Sequence, residues 1–392
     1  KEKERKNVMK HQHKNISRRL AAAVMAGAMM VSMVGMTAFA QQGDPAESEY
    51  VYSTGDTFTI TKYLEIPAYI MAPDVTFDFT ITGATNVGEE TIGGIPVQAG
   101  TTGDIEQTVG ANFDPGTTVP TVDRTEDEKA TFKVNLSMYN APGIYKYSVA
   151  EDSTNPYDGV TYSTEAKDLY VYIQNKLDQD GNYIDENNDK IPDREVAYVM
   201  LVNAGQDPEV STNKDDSFTN KYGTDGSGED TVFNLTLTKE ITGNMANLRD
   251  RFDFYITITG NVEGEKYVLE QNGSTKVISS GISDKVTLGD GDSITIYGLS
   301  KDDTYSIVES YGTKTGYTTE VSVNNEDYDL KSGLTVNNVN EDITGDVAVV
   351  YTNTKNASTP TGIAMTIAPY AIMVVAAAGV AFLFLRRRHS EF

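Results

Sequence analysis

The chain has no cysteine among its 392 residues, so disulfides, thiolate metal sites and thiol nucleophiles are excluded whatever its compartment. Histidine is nearly absent too, because His11, His13 and His389 all lie in the terminal segments. The interior therefore lacks the imidazoles on which the commonest hydrolytic and zinc constellations depend, and no metal or cofactor is expected. Basic residues number 32 against 57 acidic ones, for a formal charge of −25. A surface of that sign repels nucleic acid and anionic lipid, which argues against a DNA- or RNA-binding role. Helical periodicity is also scarce between the ends. What is present is an ordinary 39% of hydrophobic residues and room for two or three domains.

The body of the chain is written in runs of Val, Ile, Thr, Tyr and Phe punctuated by Gly, Asn and Asp, which predicts an all-β fold. Thr57-Phe58-Thr59-Ile60-Thr61-Lys62-Tyr63-Leu64 alternates like a half-buried strand, and its inward set is Phe58, Ile60, Lys62 and Leu64. A lysine occupies a core position. Burying an unpaired ammonium is costly enough that the group must neutralise or find a partner.

The same violation recurs. Phe233-Asn234-Leu235-Thr236-Leu237-Thr238-Lys239-Glu240-Ile241 echoes the first run, and Thr76-Phe77-Asp78-Phe79-Thr80-Ile81 is echoed by Arg251-Phe252-Asp253-Phe254-Tyr255-Ile256. Two domains follow, 41–222 and 223–357, with the join in the Gly/Asp/Ser-rich stretch 222–228. Other polar residues sit in phase with apolar strand faces. In the first copy these are Glu151, after Tyr145, Tyr147 and Val149, and Asn220, after Phe218. The second copy has Glu309, after Tyr305 and Ile307, and Asn353, after Val347, Val349 and Tyr351. Both copies therefore carry inward Lys, Glu and Asn in that order.

Desolvation favours a neutral, nucleophilic amine and a protonated carboxyl, so a buried glutamate can relay protons between lysine and asparagine. The amine can then attack the carboxamide carbon, expel ammonia and leave an amide between two strands. A buried, hydrogen-bonded salt bridge would use the same residue types.

Both ends read as addresses. Residues 1–40 run from a basic segment through an Ala/Met/Val-rich stretch to Ala38-Phe39-Ala40, the order of a secretory signal cleaved after Ala40, with a retained anchor as the alternative. At the far end, the uncharged apolar run 363–385 is long enough to cross a bilayer as a helix, and Arg386, Arg387 and Arg388 follow in a basic tail, 386–392. Just before the span stands Ser358-Thr359-Pro360-Thr361-Gly362. Pentapeptide, span and arginine cluster together, residues 358–392, resemble the cell-wall sorting signal read by sortases of Gram-positive bacteria. That resemblance implies cleavage between Thr361 and Gly362 and a mature chain of residues 41–361, more acidic still because the ends hold mostly basic charge.

The phrases Thr-x-Thr-Lys, Val-x-Glu or Val-Glu, and Phe-Thr-Asn or Tyr-Thr-Asn resemble the pilin isopeptide-linkage domains of Gram-positive backbone pilins, nearest to the streptococcal T-antigen type of major pilin. The resemblance runs from Thr57 to Leu385 and includes the tail from Pro360 to Tyr370. It implies two tandem immunoglobulin-like β-sandwiches of the collagen-adhesin B type. Each would hold a self-formed Lys–Asn bond catalysed by glutamate: Lys62 to Asn220 with Glu151, and Lys239 to Asn353 with Glu309. The implied partners are a sortase, further copies of the chain joined head to tail, ancillary pilins and peptidoglycan, with host surface ligands open.

Polymerisation also needs an acceptor lysine. In the resembled family it lies shortly before the bonded asparagine of the first domain, which makes Lys214 the candidate and leaves Lys221 and Lys176 as alternatives. The expected function is a covalently polymerised, wall-anchored pilus shaft at the cell surface. The alternative is a wall-anchored or pilus-tip adhesin on a two-domain stalk. No conventional enzyme is expected, only single-turnover bond formation.

The acidic stretch 178–193 places oxygen ligands at alternate positions, but Lys190 stands where a calcium loop needs glycine. It reads as a solvated hairpin tip between runs 169–175 and 195–202, with calcium binding as the alternative. The insert 84–129, rich in Gly, Thr and acids, reads as a long loop region.

Overall fold

The computed structural model describes residues 55–312, 314–330, 333–338 and 342–357. The predicted signal segment, the pentapeptide with Thr361 and Gly362, and the apolar span lie outside the described residues. Among those described, no helix is long and apolar enough to cross a membrane. The only helical turns described are short 3-10 turns, Leu136–Met138 and Ser211–Asn213, in an otherwise all-β chain.

The strands form two sandwiches in tandem. In the first, one sheet runs in the order Val160–Thr161, Ser217–Tyr222, Thr57–Ile66, Arg124–Val134, Ile105–Val109. The facing sheet centres on Gly143–Glu151, flanked by Ala166–Asn175 and Arg194–Asn203 on one side and by Ile95–Ala99 and Phe79–Gly83 on the other. Alternation directs Phe58, Ile60, Leu64, Phe132, Val149 and Leu169 into the core between the sheets.

The second sandwich repeats the plan. Phe233–Thr242 lies between Ser293–Leu299 and Val347–Thr354 in a seven-stranded sheet, and Phe252–Thr259 and Thr304–Ser310 pair in the four-stranded sheet opposite. In both sandwiches the first and last long strands are parallel neighbours, a pairing that brings the two ends of each unit side by side.

The insert differs from the expectation. Its 84–129 residues are a set of short strands, of which Ile95–Ala99 joins Gly143–Glu151 in parallel, while the Arg124–Val134 strand begins within it and pairs antiparallel with Thr57–Ile66 over ten residues. The acidic half, 125–129, buries none of its side chains, so no apolar alternation marked it as strand. The insert also covers the outer face of the second sheet, where Ile92 and Val97 pack on Tyr170, Tyr172 and Val202. That cover explains why 169–173 is apolar without interruption.

The join is compact. Gly223 takes φ +90°, which favours glycine, and Asp225 Oδ1 accepts hydrogen bonds from the backbone N–H of Ser227 and Glu229. Across it, the Tyr157 hydroxyl donates to Glu265 Oε1 at 2.5 Å, and Tyr69 stacks on Tyr297 with centroids 5.4 Å apart.

Candidate functional site

In the first core, Lys62 and Asn220 come from neighbouring parallel strands of one sheet, in a register that sets Lys62 opposite Phe218 and Leu64 opposite Asn220. Glu151 reaches between them from the end of the facing strand. The lysine Nζ lies 3.0 Å from each carboxyl oxygen of Glu151. Asn220 Nδ2 donates to Glu151 Oε1 at 2.7 Å. One carboxyl therefore bridges the amine and the amide nitrogen, and both members of the Lys62–Glu151 pair have side chains with 0% exposure.

The second core has the same geometry. Lys239 Nζ is 3.2 Å from Glu309 Oε1 and donates to the Tyr351 carbonyl at 3.0 Å. Asn353 Nδ2 donates to Glu309 Oε1 at 2.7 Å, and Ile241 stands opposite Asn353 as Leu64 does Asn220.

The electrostatics suit a proton relay. Burial drives the Lys62 and Lys239 amines down from the usual 10.5 to about 8, against the opposing pull of Glu151 and Glu309. The same burial pushes the two glutamates up, opposed by the lysines and by hydrogen bonds that include those from Asn220 and Asn353. Both partners move towards their neutral forms, which desolvation requires of an isolated buried pair.

Several contributors escaped the sequence reading. Lys62 Nζ lies 5.0 Å from the centroid of Phe77, and Lys239 Nζ 4.9 Å from that of Phe252. These are the first phenylalanines of the two Phe-Asp-Phe echoes, and the second ones, Phe79 and Phe254, pair with Glu151 and Glu309. The repeat was visible in sequence, but its role was not. The donors to the asparagine oxygens carried no signal: Ser163 N–H to Asn220 Oδ1 at 2.7 Å, and Thr319 Oγ1 to Asn353 Oδ1 at 2.6 Å.

Lys214 lies apart from both cores. It follows the turn Ser211–Asn213 just ahead of the Asn220 strand, is half-buried, and has its amine lowered by desolvation. Of the alternatives, Lys176 is paired with Glu186 at 2.8 Å.

The stretch 178–193 forms the tip between the paired strands Ala166–Asn175 and Arg194–Asn203. Its carboxylates are taken up by the loop's own backbone: Asp185 accepts from the N–H groups of Asp189 and Lys190, and Asp178 from those of Asp180 and Asn182. Among the described residues no group of three or more potential metal ligands converges.

Two sandwiches, each with a buried Lys–Glu–Asn set on its first, middle and last strands, define the class: tandem β-sandwiches with a buried Lys–Glu–Asn triad in each core. Residues 58–223 match the family of Spy0128-like isopeptide containing domains, and residues 233–355 match a domain of unknown function, DUF7601. A protein named pilin from Streptococcus pyogenes serotype M1 is 25% identical over 352 residues, covering 86% of this chain and 92% of the relative. The fold is that of the major pilin T3.2 from Streptococcus pyogenes, with a TM-score of 0.55 at 19% identity over 78% of this chain and 99% of that one. It is likewise that of the T-13 major pilin, with a TM-score of 0.51 at 21% identity over 78% and 100%. The chain thus resembles a streptococcal pilin in sequence and streptococcal major pilins in fold.

Proposed function

We propose that the chain is the structural shaft subunit of a cell-surface pilus and that each sandwich staples itself with a Lys–Asn isopeptide bond. The observation that carries the staple is the carboxyl shared by amine and amide in both cores. The neutral lysine adds its lone pair to the asparagine Cγ. The glutamate takes a proton from the amine and returns one to the amide nitrogen, and ammonia leaves as the new amide closes. Because the bond joins the first strand to the last, tension along the chain meets a covalent link rather than a ladder of hydrogen bonds that can shear. This supplies, in a chain without cysteine, the stapling that disulfides give other secreted domains.

The likeness to proteins named pilins supports the assembly half of the proposal. A sortase would cut between Thr361 and Gly362 and pass the threonine acyl group to Lys214 of the next copy. Lys214 suits that part because desolvation lowers its amine, and because its neighbour Asp215 is fastened to the sheet by Lys167 at 2.6 Å and by Ser217.

The test is intact mass and peptide mapping of wall-extracted polymer. The expected result is the loss of two ammonia molecules per subunit, Lys62–Asn220 and Lys239–Asn353 cross-linked peptides, and a Thr361–Lys214 junction. An unshifted mass would refute the staples, and a junction at another lysine would reassign the acceptor.

A further inference from the structure

A carboxamide is a poor electrophile, and the glutamates serve only its nitrogen side. When an amine adds to Cγ, the carbonyl electron pair moves onto Oδ1, and that oxygen needs a donor already in place. In the second sandwich Thr319 lies directly opposite Asn353 in the antiparallel pairing of Thr318–Val323 with Val347–Thr354. Its Oγ1 is 2.6 Å from Asn353 Oδ1. The hydroxyl has one hydrogen and two acceptors within reach, Asn353 Oδ1 and Glu309 Oε2 at 3.4 Å, and the much nearer amide oxygen takes it. The Tyr311 hydroxyl also contacts Thr319 Oγ1 and, with that hydrogen committed, acts as the donor to it. The result is a chain of hydrogen bonds from Tyr311 to Thr319 to the reacting oxygen, each polarising the next.

The first sandwich fills the same position from its backbone. Ser163 follows the short Val160–Thr161 strand, which pairs with the Asn220 strand on the side away from Lys62, and its N–H is 2.7 Å from Asn220 Oδ1. In both units the asparagine is held between a carboxyl at its nitrogen and a donor at its oxygen.

We propose that the Thr319 hydroxyl is a catalytic donor for the second cross-link, stabilising the charge that develops on Asn353 Oδ1 as the Lys239 amine adds to Cγ, as the Ser163 N–H does for Asn220. This rests on the cross-linking reaction proposed above. The Nζ–Cγ bond forms as the carbonyl π pair moves to Oδ1. The carbonyl re-forms as the Cγ–Nδ2 bond breaks and ammonia departs with its proton from Glu309. Thr319 is unchanged at the end.

The experiment follows bond formation in the full chain, collected unreacted under denaturing conditions, refolded by dilution, and sampled for intact mass and mapped peptides. Thr319→Val is expected to slow the Lys239–Asn353 bond by about 100-fold or more while the Lys62–Asn220 bond forms at its normal rate. Thr319→Ser, which keeps the hydroxyl, is expected to restore the second bond. A Thr319→Val chain that closes the second bond at the wild-type rate overturns the proposal. Should that variant not fold, Thr319→Ala removes the same hydroxyl, and a wild-type rate there also overturns it. A wild-type chain that forms no second bond refutes the cross-linking itself, an outcome distinct from a bond that forms without help from Thr319.

Discussion

Lys62 and Lys167 belong to the same sandwich and are alike in most respects. Both are 0% exposed, both lie about a ring's reach from a phenylalanine, Phe77 at 5.0 Å and Phe218 at 5.2 Å, and both touch a carboxylate. Each also has an asparagine at hand, which for Lys167 is Asn203 at 2.8 Å. Their surroundings differ in two ways. Glu151 is sealed from water and pushed up by burial, whereas the Asp215 side chain is 37% exposed. Burial pushes Asp215 up as well, but hydrogen bonds from Lys167 and Ser217 outweigh it and hold the carboxyl below its usual range. The amides are also turned oppositely. Asn220 shows its nitrogen to the carboxyl and its oxygen to a backbone N–H, while Asn203 gives its oxygen to the lysine. Lys167 is thus an anchoring ion pair. Burial alone does not make a nucleophile; the proton needs a sealed carboxyl to go to, and the leaving nitrogen must face it.

The two carboxyls should give the largest difference between the lysines. Glu151→Gln removes the relay and should slow the first bond by about 100-fold or more, whereas Asp215→Asn should leave both bonds intact by peptide mapping. A third loss of ammonia in the wild-type chain, mapped to Lys167 and Asn203, would erase the distinction.

Next in size is the effect on stability. Asn220→Ala forgoes a cross-link closing most of the first sandwich, for which the chain-entropy account of loop closure gives roughly 5 kcal/mol, a fall of roughly 10–20 °C in the melting temperature of that unit. Asn203→Ala removes only one hydrogen bond from a buried ammonium and should cost about 1–3 kcal/mol. Calorimetry on the two variants compares them directly.

A pH dependence follows from the lowered amines. In the double variant Asn220→Ala, Asn353→Ala neither lysine is consumed, and each has a folded-state value of about 8 against 10.5 when unfolded. Between about 8 and 10.5 the unfolded chain binds more protons than the folded one, so the lysine contribution to stability rises with pH across that window and its penalty is complete below it. Urea midpoints of the double variant should show this rise, and the cross-linked chain, in which Lys62 and Lys239 no longer titrate, should rise less over the same window.

The smallest expected change tests the anchor. Lys167→Met fills the same space, and Asp215 can rehydrate, so the melting transition should move by about 1 kcal/mol or less. Amide hydrogen exchange in residues 211–216 should nevertheless quicken, and transfer to Lys214 should slow. Unchanged exchange would show that Lys167 does not hold residues 211–216.

The second sandwich adds a further lesson. Its whole Lys239, Glu309 and Asn353 set lies within the match to a domain of unknown function, yet its glutamate Oε1 meets both the lysine amine and the asparagine amide nitrogen, as in the first sandwich. The oxygen donor differs, a backbone N–H at Asn220 and a side-chain hydroxyl at Asn353, so only in the second sandwich can a substitution remove it.

Much of this was legible in the residues, and the misses are as physical as the hits. Two-residue alternation is a local property, so the inward phase of Lys62, Glu151, Asn220 and their second-unit counterparts stood in the sequence. The strand from Arg124 did not, because its acidic half buries nothing and leaves no pattern. Lys167 is the converse case: in phase with Leu169, Val171 and Ile173, it carries the same inward signature as Lys62. What the amino-acid order determined by itself was which side chains face the core. Which lysine meets a sealed carboxyl, and which oxygen finds a donor, was decided by the parallel pairing of first and last strands, the closure of the facing sheet and the register of an edge strand. Those are contacts between residues far apart in the chain, and no local pattern can encode them.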